Sequence, residues 1–220
     1  MKTFLILIVL IFTCKSQEIN LPKTKPLTVK QKKQNFYDLV IPHIQEVDDE
    51  LRTLFIKTKE DIKNHKNLSA LFKKYKTDNE KELLKRIKPH PISITIAQAI
   101  IESGWGTSRF FKEANNIFGM WSKSTAKNTI KASQTRKDGR VIHLARHKDL
   151  SDSIRAYYKN IATNPAYKKF REARFRSDNP YEIAAYLNNY SEKKDLYPVE
   201  LIKIIYYNKL TRYDKPLEAK

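Results

Sequence analysis

Residues 94–122 of this chain, ITIAQAIIESGWGTSRFFKEANNIFGMWS, carry the strongest structural signal in the sequence. They hold both tryptophans and three of the four glycines of the 220-residue chain. An apolar run of helical character leads to Glu102, and Gly104 follows as a helix end. Because such scarce residue types cluster here, we expect the functional site in this segment.

Glu102 is a carboxylate in apolar surroundings. Ile100, Ile101 and Trp105 flank it, and burial among such side chains disfavours the ionised form of a carboxyl group. Its place in the last turn of a helix adds the negative end of the helix dipole. Both effects raise a carboxyl pKa, which predicts a general acid active near neutral pH. The alternative is a solvent-exposed glutamate beside a Gly-Trp-Gly turn that only ends the helix and packs its indole.

The same segment carries side chains suited to binding a sugar. Aromatic rings offer flat apolar faces on which sugar rings can stack, and amides can bind hydroxyl and N-acetyl groups. The predicted substrate-binding residues are Ser103, Trp105, Asn115, Asn116, Phe118, Gly119 and Trp121. We therefore expect a carbohydrate site around Glu102.

The N-terminus predicts export. Lys2 precedes an unbroken apolar run of nine residues, 4–12, which matches the core of a signal peptide. A membrane-spanning helix would need about 20 residues. Residues 1–16 are the predicted signal, with cleavage before Gln17; alternatively Cys14, the one cysteine of the chain, carries a lipid as the first residue of a lipoprotein. The expected location is the periplasm or the outer membrane as a lipoprotein, with secretion as the alternative.

Beyond the signal, the pattern is mostly helical. The predicted parts are a flexible tether (17–28), an N-terminal helical part (29–92), a core (93–214) and a short tail (215–220). Apolar residues recur at steps of three and four from Val29 onwards. Ser93 is placed to cap the helix that carries Glu102.

A short β element is predicted after the motif. Residues 122–140 are polar and include Asp138-Gly139, a dipeptide typical of hairpin turns, and Val141 begins the returning strand. His143 and His147 have the spacing of a zinc pair, but neither a following glutamate nor a third ligand accompanies them. We expect no metal and no other cofactor.

Positive charge dominates the composition. The chain has 43 Lys and Arg against 24 Asp and Glu, a formal net charge of +19, which attracts polyanions such as nucleic acid, anionic lipid and bacterial cell wall. Charge alone does not choose among them. Neither an aromatic-rich nucleic-acid motif nor zinc-finger spacing accompanies the basic residues, so nucleic acid is not the expected partner.

The segment IAQAIIESGWGTSRFFKEANNIFGMW closely resembles the signature of a bacterial enzyme family. These are the peptidoglycan-cleaving endo-β-N-acetylglucosaminidases of the flagellar-muramidase and autolysin type, glycoside hydrolase family seventy-three, and the similarity is greatest to the Bax-type subgroup. It extends over residues 32–213, through KKQNFYDLVIPHIQEVDDEL, DSIRAYYKNI, NPAYKKFREAR and AAYLNNYSEKKDLYPVELIKIIYYNKL.

This resemblance implies a fold, a substrate and two catalytic residues. The implied fold is mainly α and lysozyme-like, with a helical lobe and a small β-hairpin lobe flanking a glycan-binding cleft. The implied reaction is hydrolysis of the β-1,4 bond after N-acetylglucosamine in peptidoglycan. Glu102 matches the family's proton donor, and Tyr190 matches a tyrosine that faces the cleft and assists catalysis.

The sequence departs from the family at the second carboxylate. Several relatives place one in the β lobe, whereas residues 122–150 here contain no glutamate and only Asp138 and Asp149. The remaining candidates are Glu192 and Asp195, which follow Tyr190. Water activation by a distant aspartate and assistance by the substrate's N-acetyl group both stay open.

Other classes of protein remain compatible with the sequence. A lytic transglycosylase shares the implied fold and needs a single glutamate but leaves an anhydro sugar. A catalytically inactive protein would bind the cell wall without creating reducing ends. A nucleic-acid binder fits the net charge but not the export signal.

Overall fold

The computed structural model describes residues 26–123, 125–135, 139 and 141–217. The predicted signal, Cys14 and most of the predicted tether lie outside these residues, as does Asp138. Within the described ranges, no helix is both long enough and apolar enough to cross a membrane.

The described chain is mostly helical, with one antiparallel hairpin, as the sequence predicts. The helices are α1 (Val29–Lys63), α2 (Ser69–Tyr75), α3 (Glu80–Ile87), α4 (Ile92–Ser103), α5 (Arg109–Ala114), α6 (Leu150–Thr163), α7 (Lys168–Arg176), α8 (Pro180–Ala184) and α9 (Leu196–Tyr207); the strands are β1 (Thr129–Thr135) and β2 (Val141–Ala145). Single 3₁₀ turns, Pro165–Tyr167 and Leu210–Tyr213, follow α6 and α9.

Helix α4 lies at the centre of the molecule. Every residue from Ile92 to Ile100 is buried, and the helix packs against α1, α8, α9 and the 3₁₀ turn Leu210–Tyr213. A helix that buries residues on all of its sides depends on the elements that surround it. The other elements therefore hold the last turn of α4, with Glu102, at a defined place.

The start of α4 differs from the prediction. Pro91 occupies the N-cap position without a side-chain hydrogen bond, and Ser93 lies inside the helix. The backbone nitrogen and the hydroxyl of Ser93 instead donate to the Asp214 carboxylate, at 2.8 and 2.7 Å. A carboxylate at a helix N-terminus satisfies unpaired N–H groups and interacts favourably with the helix dipole, so Asp214 takes over the function predicted for Ser93.

The hairpin packs beside the helices through a small core. Strands β1 and β2 pair in the register Ile130 to Leu144, and an irregularity follows between Lys131 and Thr135. Ile130 and Leu144 are buried with Ala114 at the end of α5. The hairpin is thus attached to the helical part by few apolar side chains.

Candidate active site

Glu102 lies in the last turn of α4, where Gly104 ends the helix in a left-handed conformation (φ +57°) that glycine adopts without strain. Its side chain is partly buried, and its Oε1 accepts a hydrogen bond from the Tyr197 hydroxyl at 2.8 Å. Tyr197, at the start of α9, is 1% exposed. The carboxyl group is therefore held from one side by a buried donor.

Electrostatics favours the neutral form of Glu102. Burial raises the pKa of its carboxyl above the ordinary value, and the negative charge of Glu200 raises it further. The hydrogen bond from Tyr197 and the positive charge of Lys193 act in the opposite direction. Burial is the largest of these effects, in the direction that the sequence predicts, so the group is suited to donate a proton.

Tyr190 lies close to this carboxyl group and beside Tyr197. Its ring stacks on that of Tyr197, with centroids 5.4 Å apart and planes 17° apart. Burial raises the pKa of Tyr190 well above its ordinary value, followed by the effects of Tyr197 and of the charge of Glu102. Tyr190 is thus within electrostatic reach of Glu102, whereas the hydroxyl that contacts the carboxylate belongs to Tyr197.

The sequence did not single out Tyr197, which contacts Glu102, or Gln98, which contacts Tyr197. Gln98 donates to the Tyr197 hydroxyl at 3.1 Å. Gln98 precedes Glu102 by four residues, a spacing that places both side chains on one face of a helix. That Gln98 lies near Glu102 was therefore predictable from the sequence. Tyr197 meets Glu102 only because α9 packs against α4, which local patterns do not reveal.

The carboxylates proposed as a second catalytic group occupy different places. Asp149 caps α6 and accepts from the backbone nitrogen of Asp152 at 2.7 Å. Glu192 and Asp195 are exposed. A carboxylate that the sequence did not single out, Glu200 on α9, is near enough to raise the pKa of Glu102, and it pairs with Lys193 at 2.7 Å.

The two tryptophans of the motif lie in different surroundings. Trp105 packs between α1 and the end of α4, with its ring 5.6 Å from those of Phe36 and Tyr37 and Lys33 Nζ 4.7 Å above it. Trp121 is 61% exposed and forms a β-bridge with Leu144. The ring of Trp121 is thus accessible to solvent, whereas the ring of Trp105 packs between the end of α4 and α1.

Most of the other predicted sugar contacts are buried in the protein. Phe118 is 3% exposed and stacks on Tyr157 with 4.2 Å between the centroids. The Asn116 amide donates to the carbonyls of Met120 and Ala145 and accepts from the backbone nitrogen of Met120. The structure therefore does not support direct sugar contacts by Phe118 and Asn116, because the Phe118 ring and the Asn116 amide already contact other groups of the protein.

The remaining predicted contacts also bind protein groups or shape the backbone. Ser103 is buried and its hydroxyl donates to the carbonyl of Ala99 and accepts from Gly106. Asn115 ends α5 and donates to the carbonyls of His147 and Lys148. Gly119 adopts a positive φ of +61° next to open space, which lets the chain turn towards Trp121.

The two histidines at zinc-like spacing have protein partners. His143 Nδ1 lies 3.4 Å from the hydroxyl of Thr129, and His147 Nδ1 lies 3.2 Å from Asp152 Oδ2. Among the described residues, His, Cys, Asp and Glu side chains do not form any group of three or more that could hold a metal ion.

A central buried helix that ends in a carboxyl group of raised pKa, beside a small hairpin, defines a lysozyme-like domain. Two peptidoglycan hydrolase structures from Sphingomonas sp. A1, one of them a mutant, share this fold. The first superposes with a TM-score of 0.52 at 17% identity, covering 82% of this chain and 92% of that one. For the mutant the TM-score is 0.52 at 16% identity, over 82% and 97%. The lysozyme-like fold expected from the sequence is thereby confirmed.

The chain belongs to the glucosaminidase family. Residues 77–210 match that family, described as mannosyl-glycoprotein endo-β-N-acetylglucosaminidase. Protein bax of Escherichia coli (strain K12) is 36% identical over 92 residues, which are 42% of this chain and 31% of that protein. The chain thus matches less than a third of that relative's length.

Proposed function

We propose that this protein is a glycoside hydrolase that cleaves the β-1,4 bond after N-acetylglucosamine in peptidoglycan, with Glu102 as general acid. Membership of the glucosaminidase family supports the reaction class, and the fold shared with a peptidoglycan hydrolase supports the substrate. The single observation that carries the assignment is the environment of the Glu102 carboxyl group. Its Oε1 accepts a hydrogen bond from Tyr197, and burial raises its pKa.

In this mechanism Glu102 donates its proton to the glycosidic oxygen as the bond from that oxygen to the anomeric carbon breaks. Positive charge develops at the anomeric carbon, and Tyr190 steadies this charge or positions the water. Water adds its hydroxyl to the anomeric carbon and releases its proton to the solvent, from which Glu102 is reprotonated. The product ends in a reducing N-acetylglucosamine. Trp121 offers an exposed ring face for a sugar.

The surface charge supports an anionic substrate. A formal net charge of +19 draws the protein towards the anionic polymers of a bacterial wall, and dissolved salt screens this attraction. Binding to wall sacculi should therefore weaken as salt is raised. Binding that stays constant from low to high salt would contradict this part of the proposal.

Export of the protein is part of the same proposal, because the substrate lies outside the cytoplasm. Residues 1–16 would direct the chain to the periplasm or beyond, and a lipid on Cys14 would tether it to a membrane. Replacing Cys14 by Ser and measuring membrane partition tests the tether. An unchanged membrane fraction would exclude lipid attachment at Cys14.

The experiment that tests the function is mass spectrometry of purified peptidoglycan digested by the protein and by a Glu102→Gln variant. We expect saccharides ending in reducible N-acetylglucosamine from the wild type only. Anhydro-muramyl ends would instead identify a lytic transglycosylase. Wall binding without products from either protein would identify a non-catalytic binding module.

A further inference from the structure

A line of hydrogen bonds runs from Glu102 through the core to a buried arginine. Each member contacts the next through its side chain, and every member behind the acid is at most 1% exposed. From the buried end the members are Arg174, His90, Tyr157, Gln98, Tyr197 and Glu102. Polar side chains buried in an apolar core are stabilised when they are hydrogen-bonded, and a hydrogen bond connects each member of this line to the next.

The direction of the bonds is set at the buried end. A guanidinium can only donate, so Arg174 Nη1, which lies 3.3 Å from His90 Nδ1, makes that nitrogen an acceptor. Burial, followed by the charge of Arg174, lowers the pKa of His90 well below its ordinary value. The ring is therefore neutral, and its proton is on Nε2, which lies 3.1 Å from the Tyr157 hydroxyl and 3.0 Å from Thr95 Oγ1.

The same direction continues to the acid. The Tyr157 hydroxyl donates to Gln98 Oε1 at 2.5 Å, and Gln98 Nε2 donates to the Tyr197 hydroxyl at 3.1 Å. Since the Tyr197 oxygen already accepts a bond from Gln98, its proton points to Glu102 Oε1 at 2.8 Å. From Tyr157 to Glu102, each bond in the line thus orients the next.

We propose that this line of hydrogen bonds decides which oxygen of Glu102 carries the acidic proton. Oε1 accepts from Tyr197 whether the carboxyl group is charged or neutral, so the proton of the neutral form resides on Oε2. This inference rests on the proposed role of Glu102 as general acid. Gln98 and Tyr197 act through the acid and are positioning residues, whereas Glu102 is the catalytic residue.

The location of the proton matters for catalysis. A general acid acts only if its proton can reach the leaving oxygen, within hydrogen-bond distance. If Tyr197 did not point at Oε1, neutral Glu102 could donate inward to the tyrosine oxygen, and its proton would face the core. Gln98 prevents this inward bond because it presents a donor, and no acceptor, to the Tyr197 hydroxyl, which directs the Tyr197 proton to Glu102 Oε1. The acidic proton is then already placed, so no reorientation is needed at the moment of reaction.

Charged and titratable groups from several elements face the acid. They are Tyr197 and Glu200 on α9, Lys193 before α9, Tyr190 further upstream, and Tyr167 in the 3₁₀ turn after α6. The test must leave the charged members of this set, Lys193 and Glu200, in place.

Gln98→Met is the main test variant, because it keeps the length of the side chain and removes both of its hydrogen bonds. Thr95→Val is the matched control. Thr95 is buried in the same helix and bonds His90 and the Tyr158 hydroxyl at 2.9 Å, but it lies beside the line and not on it. Both variants lose buried hydrogen bonds, and only Gln98→Met interrupts the path to Glu102.

Infrared spectroscopy reports the proton position without relying on activity. The spectrum of each protein, minus that of its own Glu102→Gln partner at a pH where Glu102 is neutral, isolates the carbonyl band of this residue. A carbonyl that accepts a hydrogen bond vibrates at lower frequency than one that does not. We expect a band at the bonded position in the wild type and in Thr95→Val, and a shift to higher frequency in Gln98→Met.

The kinetic expectation is that Gln98→Met lowers kcat by roughly tenfold with KM within about twofold, since a misplaced proton affects the chemical step. Thr95→Val should keep both constants near wild type.

A wild-type carbonyl band in Gln98→Met, or a kcat no lower than that of Thr95→Val, would overturn the proposal. If Gln98→Met does not fold, Tyr197→Phe should show the same band shift, and an unshifted band there would also refute it. If Glu102→Gln remains fully active, the acid assignment is wrong, while the infrared bands still test the line.

Discussion

The helical part around Glu102 and the β hairpin are held in place by different means. Helix α4 is buried from Ile92 to Ile100, and Glu102 in its last turn ends a line of hydrogen bonds that crosses the core. The hairpin packs on the helices through a small core of Ala114, Ile130 and Leu144. The exposed Trp121 lies next to the hairpin and forms a β-bridge with Leu144. In the proposed mechanism, the chemical step therefore depends on the more extensively packed part of the molecule, and sugar recognition at Trp121 depends on the less extensively packed one.

The largest effect is expected from Glu102→Gln, which removes the acid but keeps a group able to accept from Tyr197. General acid catalysis contributes about 10² to 10⁴ in rate, so kcat should fall by about that factor. Initial rates of release of reducing ends from peptidoglycan measure it. A variant with more than a tenth of the wild-type kcat would show that the helical part does not supply the acid.

Trp105→Ala tests the packing of the helical part. Loss of a large aromatic side chain from a packed site costs about 3 kcal/mol, and here the rings of Phe36 and Tyr37 lose their partner. The free energy of unfolding in urea should fall by about that amount, with KM nearly unchanged. Trp105→Phe is the control and should recover most of the loss. A higher KM with unchanged stability would instead place Trp105 in the sugar site.

Asn116→Ala tests the hydrogen bonds that connect the helical part to the hairpin. It leaves the carbonyl of Ala145 and the backbone nitrogen of Met120 without their amide partner, at a cost of about 2 kcal/mol. Amide hydrogen exchange should accelerate more at Ala145, on the hairpin, than at Ile96 in α4. Equal acceleration at both positions would mean that the hairpin and the helices unfold together.

Trp121→Ala tests recognition by the hairpin side. We expect KM to rise by about tenfold, which corresponds to about 1.4 kcal/mol, with kcat within about twofold. Trp121→Tyr keeps an aromatic face and should restore most of the affinity. A large loss of kcat with unchanged KM would assign Trp121 to the chemical step.

The smallest effect concerns stability and pH. Because the folded protein raises the pKa of Glu102, the unfolded chain releases this proton at lower pH than the folded protein does. Stability due to this group is therefore lost as pH rises from the unfolded pKa through the folded pKa. The Tm of Glu102→Gln minus that of the wild type should increase between pH 4 and pH 8. A Tm difference that is constant over this range would contradict the raised pKa.

Sequence predicted those features that depend on local pattern. The helix that carries Glu102, the direction of its pKa and the returning strand at Val141 all follow from residue types within a few positions. The partner of the acid was not predictable in this way, because Tyr197 reaches Glu102 only through the packing of α9 on α4. Residue type does not distinguish a sugar contact from a protein contact at Phe118 and Asn116, since the ring and the amide that suit a sugar equally suit the buried contacts that they make with protein.

The contact between Asp214 and Ser93 has a consequence for the order in which the chain is made. Asp214 and Tyr197 lie 121 and 95 residues after their partners on α4, Ser93 and Glu102. During synthesis, α4 emerges as an apolar helix whose start and acid have no partners until those later residues appear. Contacts so distant in sequence form late in folding. The hydrogen bonds at the two ends of α4 therefore form only after the chain has been synthesised as far as Tyr197 and Asp214.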